Sequence, residues 1–459
     1  MNRQRITFRI GADDIGEIFH RLNGAVNTDV LFSGFGQIDH QLGDVVTKLH
    51  AIGLQPSEKA FDLAIVAAAV TAADTRINRA TEGQDGWTRE IELCIPVQDQ
   101  QLWMAMTSLL EGMLNFLTGD RWTLTFRTRV ASVAQLVPPV TETLTNRPLT
   151  VCLFSGGLDS FIGAIDLLAQ NERVLFISHY WDSVTSKHQG ICLQALNRRF
   201  ADTEFQSIQA RVGFPTTMVE GSSGENTLRG RSFLFFSLAA LAADAISRDN
   251  QIAIHVPENG LISLNVPLDP LRLGSLSTRT THPYYMSRFN EVLSNLGLMS
   301  GLQNAYRHKT KGQMVAECLD QDFLREEARN TISCSSPAKA RFSQDEERRQ
   351  SKNCGHCVPC LIRRAALLHG FGEDDGEYQL EDLQARELDS CSAEGEHVRS
   401  FKLAISRLNA KPGRVKFDIH KPGPLIDFPD DWDAYEAVYR NGIDEVARLL
   451  QKVEVRPKR

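Results

Sequence analysis

The chain lacks any hydrophobic run long enough to cross a membrane as a helix. Its strongest apolar run, at residues 233–243, is about half of the roughly 20 residues that a bilayer requires, so it predicts a buried helix instead. The charged segment at residues 1–16 lacks the apolar core of a signal peptide. These two absences predict a cytoplasmic protein with no membrane partner.

An excess of positive charge is also missing. The formal net charge is −7 and the isoelectric point is about 6.0, so the chain as a whole does not attract phosphate polymers. Nucleic acid is therefore not expected as a bulk partner. With 42% hydrophobic and 23% charged residues the composition is that of a globular protein. Because 459 residues exceed what one hydrophobic core usually organises, we expect two or three domains.

The nine cysteines of this large chain, which shows no export signal, are not expected to form a disulfide framework. Four of them are grouped at spacings typical of metal ligands: Cys334, Cys354, Cys357 and Cys360. Four thiolates can surround one zinc ion tetrahedrally and leave no position open for substrate, which predicts a structural Zn²⁺. An iron–sulfur cluster and a set of free thiols remain the alternatives.

No internal repeat or low-complexity tract is present, but the composition changes along the chain. Mixed strand-like and helix-like segments without a reactive cluster predict an α+β accessory domain at residues 1–147. Two adjacent prolines, Pro138 and Pro139, and the polar residues 141–147 predict a linker at its end. The cysteine-bearing segment covers residues 326–372, and a small helical appendage is expected at residues 373–459, with its final helix at residues 432–453.

Strand patterns alternate with helix patterns at residues 148–325, where we expect the ATP-binding domain. The strands are predicted at residues 149–154, 173–178, 204–210 and 251–256. Such alternation predicts βαβ units, and hence an α/β domain whose parallel sheet is covered by helices on both faces. Ligands bind such sheets at the carboxyl ends of the strands, so functional residues are expected there.

A glycine-rich turn directly follows the first of these strands and begins a helix. Adjacent glycines allow backbone N–H groups to approach an anion, and the free N–H groups of the helix point at the same anion. An aspartate in such a turn cannot attract phosphate, so Asp159 is expected to hold Mg²⁺ or to fix the loop. The six residues of this predicted phosphate site are Ser155, Gly156, Gly157, Leu158, Asp159 and Ser160.

The same six residues resemble the Ser-Gly-Gly-x-Asp-Ser signature of the PP-loop ATP pyrophosphatases, which cleave ATP between its α and β phosphates. The resemblance implies a parallel-sheet core of the HUP type, similar to the adenine nucleotide alpha hydrolases. It also implies ATP and Mg²⁺ as cofactors, nucleotide binding by the turn, and catalytic roles for Asp159 and Ser160. A Walker loop is excluded because no Gly-Lys-Ser/Thr follows at the required spacing.

Within that class, residues 149–368 resemble the 7-cyano-7-deazaguanine synthase (QueC) family. The resemblance implies that His179, Gly230 and Arg231 contact the nucleotide and that Lys311 acts on departing pyrophosphate. A cation at the start of a helix also opposes the helix dipole, so Arg231 by itself predicts a bound anion, with a solvated surface arginine as the alternative. Besides the turn and the four cysteines, the matching segments are Ser178-His179-Tyr180, Leu228-Arg229-Gly230-Arg231 and Thr310-Lys311-Gly312-Gln313.

The substrate side departs from the family pattern. An Asp and an Arg that the family places near its substrate are missing from the corresponding stretch at residues 282–286. Tyr284 stands in that stretch and is a candidate for substrate contact. Glu258 and Asn259, which follow the fourth predicted strand, are the other two candidates, although an Asn-Gly turn also forms without any function.

The resemblance implies ATP-dependent, AMP-forming activation of a 7-carboxy-7-deazaguanine-like molecule, followed by attack of an amine on the acyl adenylate. The regions before residue 148 and after residue 372 have no counterpart in the short biosynthetic enzyme. This enlarged layout resembles the QueC-like proteins of bacterial anti-phage operons of the Qat and CBASS types, where a protein partner from the same operon is the expected acceptor. The alternatives are a nitrile-forming synthase that uses ammonia in queuosine-type biosynthesis and a non-catalytic nucleotide-binding component of a defence complex.

Overall fold

The computed structural model describes residues 3–11, 13–14, 25–34, 37–38, 41–137, 139–140, 147–219, 222, 224–225, 229–247, 249–269, 279–335, 337 and 353–457. Over these residues the protein is a mixed α/β structure with two parallel sheets. Among the helices within these ranges, no helix combines the length and the hydrophobicity needed to cross a bilayer. Pro138 and residues 141–146 of the predicted linker, and Leu228, lie outside the described residues.

The N-terminal region contains a four-stranded parallel sheet. Its elements are β1 (Arg3–Arg9), β2 (Ala25–Leu31), β3 (Ser33–Gly34), β4 (Gln37–Ile38), α1 (Leu42–Ala51), α2 (Glu58–Arg76), α3 (Arg79–Glu82), β5 (Glu90–Val97), α4 (Gln100–Ala105), α5 (Thr107–Thr118), β6 (Arg121–Thr128) and α6 (Val133–Leu136). The strand order is β2-β1-β5-β6, and each neighbouring pair is parallel.

The predicted α+β arrangement is therefore wrong for this region. Parallel neighbours need a crossover connection, and helices provide it between β1 and β5 and between β5 and β6. The strand-like patterns at residues 6–10, 90–97 and 122–128 predict β1, β5 and β6, whereas β2, β3 and β4 are not predicted. The direction of the strands in the sheet depends on pairing between distant segments, which a local pattern does not contain.

The second sheet has five parallel strands. Its elements are β7 (Thr150–Leu153), α7 (Leu158–Ala169), β8 (Val174–His179), α8 (Ser183–Arg199), β9 (Gln206–Ala210), α9 (Arg231–Ile246), β10 (Ile252–His255), α10 (Gly260–Leu264), α11 (Pro283–Leu296) and β11 (Ser300–Gln303). The order is β11-β10-β7-β8-β9, which confirms the predicted parallel sheet. The sequence does not predict β11, a short edge strand that contains Gly301, a residue depleted in strands.

Helices cover both faces of this sheet. Alternate residues of β7 belong to different hydrophobic clusters, because successive side chains of a strand point to opposite faces. Val151 packs in the cluster that contains α9, and Cys152 packs in the cluster that contains α7. The prediction of a sheet covered on both sides is confirmed.

The two sheets share one hydrophobic interior. Helix α2 packs against α9, and each of these helices also contacts its own sheet. Both helices are apolar on nearly all sides, as a helix enclosed between two layers must be. The cluster runs from Ile6 in β1 through Phe61 in α2 and Phe233 in α9 to Val151 in β7. The N-terminal region is thus packed directly on the layer that carries Arg231.

The remaining elements form the cysteine segment and the C-terminal region. A third hydrophobic cluster joins the C-terminal helices to α10 and to the helix that follows the cysteines, so this region also packs at the carboxyl edge of the second sheet, where α10 begins. The final helix is confirmed, but it ends at Leu449. The elements are α12 (Lys311–Ala316), α13 (Gln321–Glu327), a 3-10 turn (Ala328–Asn330), α14 (Val358–Phe371), β12 (Leu388–Asp389), α15 (Ala393–Ala410), a 3-10 turn (Pro412–Arg414), α16 (Val415–Asp418), a 3-10 turn (Pro429–Asp431), α17 (Trp432–Leu449) and β13 (Val455–Arg456).

Candidate functional site

The glycine turn lies between β7 and α7, at the carboxyl edge of the second sheet. Gly156 has a φ of 79°, and a Cβ at this position would lie 2.9 Å from Cγ of Gln189. Both the left-handed backbone and the close neighbour require glycine here. The carbonyl of Gly156 accepts a 2.9 Å hydrogen bond from the Ile332 N–H. The predicted turn is formed, and a distant segment of the chain holds it in place.

Two hydroxyl groups of the turn lie side by side. The Oγ atoms of Ser155 and Ser160 are 3.1 Å apart, and the Ser160 hydroxyl donates to the Gly157 carbonyl at 3.0 Å. The Gly157 N–H donates to Ser155 Oγ at 3.3 Å. Both serines line a cavity, so their hydroxyls can turn to donate hydrogen bonds to an anion bound there.

This first cavity has a volume of about 320 Å³. A concave site of this size with largely apolar walls and a few convergent polar groups is typical of ligand pockets. Four charged residues from four different elements or loops line it: Asp159, Arg231, Glu258 and Lys311. The largest apolar side chains in its walls are Phe235 and Phe236 of α9.

Asp159 is buried in the first turn of α7, and its two carboxylate oxygens have different partners. Oδ1 lies 2.9 Å from Nζ of Lys311, and Oδ2 accepts hydrogen bonds from the backbone and side-chain N–H groups of Asn259, at 3.1 and 2.7 Å. Burial opposes ionisation, but Lys311 and the hydrogen bonds outweigh it and lower the pKa of Asp159. Asp159 is therefore ionised. The backbone N–H group that donates a hydrogen bond to it belongs to Asn259, which is outside the glycine turn.

Glu258 lies beside Asp159 and has the opposite shift. Burial and the negative charge of Asp159 raise the pKa of Glu258 well above its usual value. Its Oε1 accepts a 3.2 Å hydrogen bond from the side-chain amide of Asn259. The single positive charge of Lys311 does not balance the negative charges that Asp159 and Glu258 carry when both are ionised. A divalent cation that takes oxygen ligands would balance them. Asp159 and Glu258 are the residues that could hold Mg²⁺.

We expect Glu258→Gln to stabilise the protein in the absence of added Mg²⁺. Folding raises the pKa of Glu258, so protonation of Glu258 stabilises the folded protein fully at a pH below the ordinary carboxyl pKa. This stabilisation is lost as the pH rises through the raised pKa. A glutamine amide needs no proton, so its advantage should grow as the pH rises from the ordinary carboxyl pKa through the raised value. Melting temperatures measured from pH 5 to pH 9 test the prediction. Glu326 is exposed, so Glu326→Gln serves as the control. A gain in the melting temperature of Glu258→Gln that is independent of pH would contradict the prediction.

Arg231 is the first residue of α9 and presents its guanidinium group to the cavity. Its Nη2 donates a 2.9 Å hydrogen bond to the carbonyl of His179. Burial lowers the pKa of Arg231 to about 10, so the group is still charged at neutral pH. A cation in this position, with a neutral carbonyl as hydrogen-bond partner, is suited to an anionic ligand.

His179 supports Arg231 through its backbone. Its side chain is fully buried and packs edge-on against Trp181, with ring centroids 5.2 Å apart. Burial and the charge of Arg231 lower the pKa of His179 to about 3, so the ring is neutral. The prediction that His179 contacts a nucleotide does not match this position, because its ring lies outside the cavity walls and only its carbonyl contacts Arg231.

The N-terminal region holds the start of α9. The Gly230 N–H donates to Oδ2 of Asp74 at 2.9 Å, and a Cβ on Gly230 would lie 2.8 Å from the same oxygen. Oδ1 of Asp74 binds the fully buried Arg89 at 2.5 Å, and Arg89 binds Asp120 at 2.6 Å. Gly230 thus contacts the N-terminal region, and its N–H group is not directed at a nucleotide in the first cavity, contrary to the sequence-based expectation.

The C-terminal region holds the start of α12 in a similar way. The buried carboxylate of Glu445 in α17 accepts hydrogen bonds from the Thr310 hydroxyl and, at 3.2 Å, from the Gly312 N–H. A Cβ on Gly312 would lie 2.6 Å from this carboxyl group. Lys311 stands between these two residues, so Glu445 fixes the turn that directs Lys311 towards Asp159.

The four predicted cysteines meet in space. Their sulfur atoms all lie within 4.8 Å of one another. Sγ of Cys354 is 3.7 Å from Sγ of Cys360, and Sγ of Cys357 is 4.0 Å from Sγ of Cys334. A tetrahedron of thiolates at the usual zinc–sulfur distance of about 2.3 Å has edges of about 3.8 Å. The cysteines are positioned to hold one metal ion, and the geometry is compatible with structural zinc.

This cysteine cluster borders the first cavity. Cys334 lines the cavity together with the two residues before it, Ile332 and Ser333. Oδ1 of Asn353, next to Cys354, accepts hydrogen bonds from the Ser333 and Cys334 N–H groups at 2.9 and 3.1 Å. Because Ile332 in turn binds the carbonyl of Gly156, a metal ion held by the cysteines would fix the glycine turn as well.

Apart from the four cysteines, most of the predicted site residues line the first cavity, and five do not. Tyr284 packs against Phe116 of α5, with ring centroids 4.9 Å apart, because the first turn of α11 faces the N-terminal region. The prediction that Tyr284 contacts the substrate does not match this position. The predicted residues in the cavity walls are Ser155, Gly157, Leu158, Asp159, Ser160, Arg231, Glu258 and Lys311. Those outside the walls are Gly156, His179, Gly230, Asn259 and Tyr284.

Sequence reasoning missed part of the cavity wall. Phe235 and Phe236 are one helical turn after Arg231 and Ser232, so the spacing could have placed them on the same side of α9. The sequence of α9 is apolar on nearly every side, so each side is expected to be buried, and the pattern does not distinguish the side that faces the cavity. Comparison of the chain with protein-family models, curated proteins and solved structures gives no match.

Proposed function

We propose that this protein is an AMP-forming ligase of the PP-loop type. The observation that supports the proposal best is the first cavity, where the glycine turn, the Asp159–Lys311 ion pair and Arg231 meet at the carboxyl edge of a parallel sheet. The turn and the two cations provide hydrogen-bond donors and positive charge for a polyphosphate. The ionised Asp159 and the adjacent Glu258 are suited to Mg²⁺, which would offset phosphate charge when bound.

The proposed chemistry has two steps. A carboxylate oxygen of the substrate attacks the α phosphorus of ATP, the bond from that phosphorus to the bridging oxygen breaks, and pyrophosphate leaves. The nitrogen of an amine then attacks the acyl carbon of the adenylate, AMP leaves with the electron pair of the carbon–oxygen bond, and the nitrogen releases one proton. In the first step Arg231 and Lys311 stabilise the charge that develops on pyrophosphate.

The resemblance to the QueC family suggests the carboxylate, a 7-carboxy-7-deazaguanine-like molecule, and with it a role in anti-phage defence. We further propose that the cysteine cluster holds a structural zinc ion. Four sulfur ligands complete its coordination shell, so the metal contributes to folding and takes no part in the reaction.

Incubation of the protein with Mg²⁺, ATP and 7-carboxy-7-deazaguanine should yield AMP and pyrophosphate in equal amounts. The physical reason is that the glycine turn holds the β and γ phosphates and leaves the α phosphorus open to attack. Chromatographic separation of the nucleotides gives the answer, with a reaction lacking the carboxylate as control. ADP and orthophosphate as sole products would refute adenylation, and tight ATP binding without turnover would favour the non-catalytic alternative.

A further inference from the structure

Gln189 is a fully buried residue of α8 whose side chain contacts the chain where β7 and β8 end. Its Nε2 donates one hydrogen bond to the Ser155 carbonyl and one to the His179 carbonyl, each at 3.2 Å. Its Oε1 accepts a 3.3 Å hydrogen bond from the side-chain amide of Gln209 in β9. A flipped amide would face the two carbonyls with its oxygen and lose these bonds, so the partners fix the orientation of the side chain.

The first of these bonds fixes the glycine turn. A bound anion attracts N–H groups and repels carbonyl oxygens, so a turn that binds phosphate must keep its carbonyls directed elsewhere. Gln189 lies outside the walls of the first cavity, and its bond therefore holds the Ser155 carbonyl away from a ligand in that cavity. Because a trans peptide is planar, the Gly156 N–H then points in the opposite direction. Packing supports the same arrangement, since a Cβ on Gly156 would lie 2.9 Å from Cγ of Gln189.

The second bond fixes the partner of Arg231. The His179 carbonyl accepts a hydrogen bond from Gln189 and another, at 2.9 Å, from Nη2 of Arg231. A carbonyl oxygen has two lone pairs and can accept both bonds. One buried amide group thus holds both the turn that supplies N–H donors and the carbonyl that orients the guanidinium group.

We infer that Gln189 is a positioning residue, which aligns the glycine turn with Arg231 so that both can bind one polyphosphate group. Gln189 acts through the two carbonyls and does not touch the ligand, because it does not line the first cavity. The inference rests on the proposed function, since it concerns the phosphate site of the same reaction. Phosphate binding can nevertheless be measured without any turnover of ATP.

Binding of inorganic pyrophosphate in the presence of Mg²⁺, measured by calorimetry, tests this inference. Gln189→Met keeps most of the side-chain volume and removes both N–H donors, which leaves the Ser155 carbonyl free to turn towards the ligand. Gln194→Met is the matched control, because Gln194 is an exposed glutamine of the same helix and does not line the first cavity. We expect Gln189→Met to weaken pyrophosphate binding at least tenfold, and Gln194→Met to bind within twofold of the wild type.

A combination with Arg231→Met separates positioning from a general loss of structure. Gln189 acts in part through Arg231, so the two substitutions should be less than additive. We expect the factor that is lost on Gln189→Met to be at least threefold smaller when Arg231→Met is already present. A general effect on folding would instead weaken binding by the same factor in both backgrounds.

Unchanged binding by a folded Gln189→Met protein, an equal loss in Gln194→Met, or the same factor in both backgrounds would overturn the inference. If the wild type binds pyrophosphate but forms no AMP from ATP, the proposed ligase function fails, and the binding data still decide the role of Gln189. A wild type that binds no pyrophosphate would overturn both. Should Gln189→Met not fold, Gln189→Glu replaces it in this test, because an ionised carboxylate has nearly the same shape and donates no hydrogen bond.

Discussion

Lys311→Met should reduce the rate of AMP formation at least 100-fold. Nζ of Lys311 lies 2.9 Å from the Asp159 carboxylate, and Lys311 lines the first cavity. In the proposed reaction it would stabilise charge on pyrophosphate as that group leaves. Loss of one such preorganised group typically costs a factor of about 10² to 10³ in rate. Methionine keeps most of the side-chain volume and removes the charge, so packing in the first turn of α12 is preserved.

Lys309→Met is the matched control for this experiment. Lys309 is two residues away, lines no part of the first cavity, and pairs with Glu317 on the surface at 2.7 Å. Its variant should keep at least half of the wild-type rate. Rates of AMP and pyrophosphate formation at saturating ATP decide the matter, together with melting temperatures to verify folding. A Lys311→Met protein that is folded and fully active would remove this residue from the proposed mechanism.

Cys357→Ser should abolish metal binding and destabilise the protein by several kcal/mol. Structural zinc contributes folding free energy directly, and a serine hydroxyl does not replace a thiolate ligand. Loss of the ion would also release the segment that anchors the glycine turn through Ile332 and Gly156, so AMP formation should be lost in any protein that remains folded. Elemental analysis of wild-type protein should give about one zinc per chain.

The exposed Cys391 provides the control for this second experiment, because Cys391→Ser also removes one thiol but leaves the cluster intact. It should bind zinc and melt as the wild type does. If anaerobically purified wild-type protein contains iron and labile sulfide instead of zinc, the cysteines hold an iron–sulfur cluster. That result would move the functional proposal towards RNA thiolation.

The N-terminal and C-terminal regions lie outside the segment that resembles the QueC family, and both have a structural role that does not require a partner protein. The N-terminal region supplies Asp74 to the start of the helix that carries Arg231, and the C-terminal region supplies Glu445 to the start of the helix that carries Lys311. The extra length is thus used, at least in part, to position the two cations of the first cavity.

The sequence by itself determined the features that depend on short stretches of chain. The glycine turn at Ser155 to Ser160, the strand before it and the helix after it, and the spacing of Cys354, Cys357 and Cys360 are all local. Strand alternation, helix starts and ligand spacing are fixed by backbone geometry within a few residues. The second parallel sheet and the position of the turn at its carboxyl edge followed from these local patterns.

Tertiary structure alone decided the rest of the site. The contacts of Gly230 with Asp74 and of Gly312 with Glu445 join residues more than a hundred positions apart, and no local pattern specifies such pairs. The parallel order of the first sheet and the turning of Tyr284 towards Phe116 have the same origin. Each of these arrangements depends on which helices and strands bury their apolar surfaces against each other. The hydrophobic effect is non-directional, so a single helix or strand does not specify its packing partner, and the partner is set only when the whole chain packs.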